Sequence, residues 1–279
     1  MELPSWLEIR LMQVCDLIFA LIPQQDPTLG NLVKCKIISH RGQHDNLKVF
    51  ENTLTAFDHV LETDGIWGVE MDFRWTKDLY PVVSHDPDLQ RLYGSNIRIS
   101  DTTLDELKQL CPQIPTLEEV LKRYGGKLHL MVEAKEEHYP KPEEQNRILK
   151  ELFEAFEPKK DFHLLSLDPN MLEMIKFVDT SAKILVAEFN KKTLSKISLT
   201  KKYAGLGGHY LLLDKKLVEE HLACGQKIGV GYPNSKNNLF REINRGVEWI
   251  FCNDAVGLSN ILQIELNKAQ SLVEAANIK

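Results

Sequence analysis

The sequence predicts an α/β protein of the (β/α)8 barrel class, with a small insertion after the second strand and a helical extension ahead of the first. Two observations lead there. From about residue 34 onward, short apolar β-branched runs alternate with longer amphipathic stretches, eight times in series. No low-complexity linker divides the chain, and 279 residues suit one such barrel.

Residues 5–23 are apolar, but Glu8, Arg10 and Asp16 interrupt them, and the uncharged run Leu17–Pro23 is too short to span a bilayer. With no basic region ahead of them, they read as an amphipathic helix and not as a leader or a transmembrane segment. That helix is expected to pack on the body of the fold or on a second copy, as a homodimer; attachment to a membrane surface is the lesser reading. Residues 1–34 are therefore assigned to the extension and 35–279 to the barrel.

Strands are predicted at Lys36–Ser39, Val69–Phe73, Leu128–Ala134, His163–Leu167, Lys183–Val186, Tyr210–Leu213, Lys227–Val230 and Trp249–Cys252. Helices are predicted between and after them, at 52–63, 116–124, 143–156, 169–178, 191–203, 215–224, 235–245 and 256–270. Thr116 with Glu119 makes a capping box, and Pro169 follows Asp168 at a first helical position. Gly205-Leu206-Gly207-Gly208 reads as a flexible turn before a strand. A strand at Pro81–Ser84 precedes residues 86–115, whose short polar pieces read as an excursion from the barrel on the side of His85.

The net charge of −6 gives no global indication of a nucleic-acid or anionic-membrane surface. An anionic substrate would have to be met by local positive charge. The five cysteines are scattered, odd in number and form no CxxC pair, which reads as reduced thiols in a cytoplasmic protein without a structural zinc.

Barrel active sites lie at the C-terminal ends of the strands. His40 and Arg41 follow the first predicted strand, Glu70 and Asp72 close the second, and Glu133 and Lys135 close the third. Each i, i+2 pair shares one strand face. Glu70, Asp72 and Glu133 make an all-oxygen set suited to one divalent cation, Mg²⁺, Ca²⁺ or Mn²⁺. Without a cation, three carboxylates at one mouth repel one another, and one of them is expected to hold a proton. Surface ion pairs with Arg74, Lys77 or Lys135 are the alternative.

His40 and His85 are candidate acid and base. His59, His129 and His221 carry no such context and read as structural. Arg41 offers a planar fork and Lys135 a point charge for a phosphate. Glu51-Asn52 either caps the helix that follows or, through Glu51, orients Arg41 or His40.

The ordered set His40-Arg41-Gly42, Glu51-Asn52-Thr53, Glu70-Met71-Asp72, His85-Asp86, Ile114-Pro115-Thr116-Leu117-Glu118-Glu119 and Glu133-Ala134-Lys135 resembles the glycerophosphodiester phosphodiesterase family. The resemblance covers residues 36 to about 260 and is specific in its first half; Asn253-Asp254 is a weaker, later echo. It implies a (β/α)8 barrel with an insertion after the second strand. It also implies a divalent cation on Glu70, Asp72 and Glu133, acid–base work by His40 and His85, phosphate binding by Arg41 and Lys135, and support from Glu51. The implied reaction is hydrolysis of a glycerophosphodiester to sn-glycerol 3-phosphate and an alcohol.

Three positions depart from the family pattern. Phe50 stands where proline is usual, and Gly231-Tyr232 where a tryptophan is frequent. Asp78-Leu79 replaces an Asp-Gly turn, at a cost if a positive φ is still required. The rival readings are a lysophospholipase D-like or sphingolipid enzyme on the same barrel and a silent phosphodiester-binding scaffold.

Overall fold

The computed structural model describes residues 14–277. The first part of the expected N-terminal helix, residues 1–13, lies outside the described residues; residues 14–21 are helical. Helix α1 (Leu29–Lys34), opened by the Thr28 side chain, leads into strand β1 (Lys36–His40).

Eight parallel strands close into a barrel: β1, β2 (Gly68–Trp75), β4 (His129–Ala134), β5 (Phe162–Ser166), β6 (Lys183–Ala187), β7 (Gly205–His209), β8 (Lys227–Gly231) and β9 (Trp249–Cys252), with β1 pairing both β2 and β9. Strand β3 (Pro81–Val83) folds back antiparallel on β2. Helices α2 (Leu54–Leu61), α5 (Leu117–Tyr124), α6 (Pro142–Phe153), α7 (Pro169–Met174), α8 (Lys191–Lys201), α9 (Lys215–Ala223), α10 (Lys236–Asn244) and α11 (Ala255–Asn277) surround it.

The main core lies between strands and helices, where Val69, Met71 and Phe73 of β2 meet Phe57, Leu117 and Val120. A second cluster, including Ile38, Met131, Leu165, Ile184 and Phe251, fills the barrel. Residues 86–115 form the expected excursion, with α3 (Gln90–Tyr93) and α4 (Leu104–Leu110). Leu89, Ile99, Leu107 and Ile114 pack there on Val82 as a small core of their own.

The seventh strand corrects the sequence reading. It runs over Gly205–His209, the stretch read as a turn, and the predicted strand at Tyr210–Leu213 is the loop that follows. Glycine carries no β-branched signal, yet here it is required by space: a Cβ on Gly205 would stand 2.0 Å from the Lys227 carbonyl oxygen. Gly205→Ala is therefore expected to destabilise the fold by about 3 kcal/mol or more, read as a shift in urea midpoint at unchanged slope. Leu79 has φ 63° and is buried in the main core, so the turn keeps its positive φ although the usual glycine is gone.

Candidate active site

Strand register assembles the site. His40 lies level with Glu70 across β1 and β2, and Asp72 level with Glu133 across β2 and β4. One carboxylate oxygen from each of Glu70, Asp72 and Glu133 falls within 4.8 Å of the others, and all three residues are buried. Hard oxygen donors at this spacing fit a divalent cation.

Charge balance points the same way. Burial, with Asp72 and Glu133 adding repulsion, pushes the Glu70 carboxyl well above the ordinary carboxylate range. Burial also raises Glu133. Burial works to raise Asp72 as well, but Lys135 at 3.3 Å, Arg41 at 3.3 Å and the Asn52 amide donating at 2.9 Å outweigh it, and its pKa is lowered. Lys135 lies 2.6 Å from Glu133. The ion-pair reading thus holds for Lys135 inside the site, whereas Arg74 turns away to Glu137 and the His85 carbonyl.

The loop after β1 is shaped by its backbone. Arg41 takes φ 59°, its N–H donates to the Glu70 carbonyl at 2.9 Å, and its guanidinium donates to Glu51 at 3.0 Å. Gly42 has φ 80° and a Cβ there would lie 2.8 Å from Ala56 and Phe57, so the close approach to α2 requires glycine. The sequence placed 52–63 in one helix, but Asn52 has φ 58° and the cap is Thr53, so the helix begins at Leu54. This releases Glu51 and Asn52 into the site. Glu51 accepts from Arg41, Arg91 and Asn46, which together outweigh burial and hold its pKa down at about 2.

His40 and His85 both stand at the mouth, each oriented through Nδ1. His40 Nδ1 is 2.8 Å from Asn253 Oδ1, and Tyr232 lies over its ring with the hydroxyl 3.2 Å from Nε2. Burial, with Arg41 nearby, pushes the His40 pKa down to about 3, so the ring is neutral and Nδ1 is the donor to Asn253. His85 Nδ1 is 2.8 Å from Asp86, and Arg91 clamps Asp86 at 2.6 Å. Burial lowers the His85 pKa, and the Asp86 carboxylate works against that. A continuous chain therefore runs His85–Asp86–Arg91–Glu51–Arg41–Asp72.

All eight site residues named from the sequence converge on this mouth. Sequence reasoning missed Asn253, Arg91 and Asn46, and noted Tyr232 only as a departure. Asn253 had a signal in the closing Asn-Asp echo. Arg91 had none, since its role arises from a turn of α3 that the sequence does not tie to Glu51.

A glycerophosphodiester phosphodiesterase from Caldanaerobacter subterraneus subsp. tengcongensis is 28% identical over 244 residues, covering 83% of this chain and 99% of its own. A human lysophospholipase D is 38% identical over 122 residues, 43% of this chain and 33% of that protein. The crystal structure of a glycerophosphodiester phosphodiesterase from Thermotoga maritima superposes with TM-score 0.68 at 26% identity, covering 81% of this chain and 98% of that one. The family model described as the glycerophosphoryl diester phosphodiesterase family matches residues 40–251, so the chain belongs to that family.

Proposed function

We propose that this phosphodiesterase hydrolyses glycerophosphodiesters to sn-glycerol 3-phosphate and an alcohol, with Arg41 and Lys135 holding the phosphate. The observation that carries this is the placing of two Nδ1-anchored imidazoles and a carboxylate triad around one barrel mouth. Glu70, Asp72 and Glu133 would hold a divalent cation, with Mg²⁺ or Ca²⁺ our assignment, and that cation would supply Lewis-acid polarisation of the phosphate.

The chain's own groups do the rest. Neutral His40 presents an Nε2 lone pair, hydrogen-bonded to Tyr232 in the resting site, and accepts the proton of the attacking oxygen, either water or a glycerol hydroxyl whose cyclic phosphate water then opens. His85 is the more readily protonated ring, because its partner is a carboxylate where that of His40 is a neutral amide. It protonates the leaving alkoxide. Glu51 positions Arg41 while Arg91 and Asn46 satisfy its remaining oxygen positions. We assign residues 1–34 as an extension to a barrel of 35–279. The five unpaired cysteines support a cytoplasmic location, and no described helix is long and apolar enough to cross a membrane.

A lysophospholipase D-like reading has one observation in its favour. The helical run 14–21 docks beside the ends of β7 and β8, through Asp16 to Tyr210 and Asn234 and through Phe19 on Tyr210. Its other face exposes Val14, Leu17, Ile18 and Leu21, an apolar i, i+3, i+4, i+7 stripe near the mouth. That stripe suits an acyl chain, or a second copy of this chain as the homodimer that sedimentation velocity reads directly. Choline release is expected to be faster from glycerophosphocholine than from lysophosphatidylcholine; preference for the acylated substrate would transfer the assignment to the second reading.

A further inference from the structure

The barrel has a second concavity at its opposite, N-terminal end, about 790 Å³ in volume. Lys36, Lys159, Lys202 and Lys227 line it, together with His163 and Trp249, and no carboxylate among the described residues does. The only acid paired with these lysines among the described residues is Glu248, on Lys227. Four cations gathered on one depression of a chain with net charge −6 favour an anion there.

The floor adds a directional requirement. His129 Nδ1 lies 2.8 Å from the Lys160 carbonyl oxygen, which only accepts, so Nδ1 carries the proton. Burial pushes the pKa of His129 down to about 4 and that of His163 to about 3, so both rings are neutral and His129 Nε2 is an acceptor. His163 Nδ1, 2.8 Å away, must then donate to it. The proton of His163 is thereby fixed on Nδ1, and its Nε2 is a bare lone pair. His163 is only 5% exposed and lines the concavity, and Nε2 has no partner among the described residues. A cavity lined by four lysines and a proton-free acceptor calls for a ligand that is anionic and also has a proton to donate.

We propose that this end of the barrel is a binding site for hydrogen phosphate and for phosphate esters that retain an O–H group, separate from the catalytic mouth. The lysines take the anionic oxygens and His163 Nε2 accepts the ligand hydroxyl. Sulfate has the same shape and charge as hydrogen phosphate but no proton, so it meets the His163 lone pair with an oxygen lone pair.

The test uses the full chain labelled with ¹⁵N-histidine, titrated at pH 7 with inorganic phosphate and separately with sulfate. Phosphate is expected to shift the His163 Nε2 resonance saturably, and sulfate to bind at least about tenfold more weakly, the effect of one lost hydrogen bond at this acceptor. Lys159→Gln with Lys202→Gln, both at the surface, is expected to weaken phosphate binding about tenfold or more while hydrolysis is unchanged. Arg41→Gln, at the catalytic mouth, is expected to leave the His163 shift in place. The proposal is overturned by equal phosphate and sulfate binding, by phosphate binding that survives the double lysine change, or by a His163 signal that responds only while Arg41 is present. None of these outcomes depends on whether the glycerophosphodiester assignment holds.

Discussion

Alanine at His85 is expected to cut turnover of glycerophosphocholine by roughly two to four orders of magnitude, and alanine at His40 by a similar factor. The two losses should separate when the leaving group changes. A 4-nitrophenolate leaves without a proton, so a 4-nitrophenyl phosphodiester needs the acid far less than it needs the base. His85→Ala should recover most of its lost rate on that substrate, and His40→Ala should not. The opposite pattern would exchange the two roles, and full activity in both variants would remove the histidines from the chemistry. The physical ground is the contrast in Nδ1 partners: Asp86 stabilises an imidazolium, and Asn253 has no charge with which to do so.

Excess EDTA is expected to lower turnover by at least about two orders of magnitude, reversed by Mg²⁺ or Ca²⁺. Persistent activity in the chelator would remove the cation from Glu70, Asp72 and Glu133. The same carboxylates predict a proton signature. Burial and mutual repulsion raise the pKa values of Glu70 and Glu133, so the metal-free folded protein holds protons that the unfolded chain has already lost. Cation binding should therefore release protons into a weakly buffered solution. Metal-free stability in urea should decline as pH rises from the ordinary carboxylate value through the raised ones, and saturating cation should flatten that decline. A metal-free stability that instead rises over this window would contradict the arrangement of the triad.

The part of the site that was legible in the sequence is the part written in strand periodicity. Glu70 with Asp72, and Glu133 with Lys135, share faces because a strand repeats every two residues, and the parallel register then sets Asp72 level with Glu133. The excursion at 86–115 was legible because its polar, turn-rich pieces match neither period. Strand β7 was not legible, because its glycines answer to a neighbouring backbone that only the closed barrel brings near. Tyr210–Leu213 looked like a strand because it is apolar; those side chains instead pack in the loop beyond it, with Tyr210 against Phe19. Arg91 was out of reach for a related reason, since it acquires its role from a partner 40 residues away, and Asn253, 213 residues from His40, was legible only as the closing Asn-Asp echo.

The chain from Asp86 through Arg91 and Glu51 to Arg41 has a consequence for how this enzyme can change its substrate. It joins the loop after β1 to the excursion after β3. Neither is an independent module. Exchanging the excursion for one without these two side chains removes Asp86 and Arg91 together, so His85 loses its Nδ1 partner and Glu51 keeps only the hydrogen bonds of Arg41 and Asn46. Grafting the β1 loop alone leaves Arg91 with one anion in place of two. Redesign of either segment therefore has to carry both as one cassette.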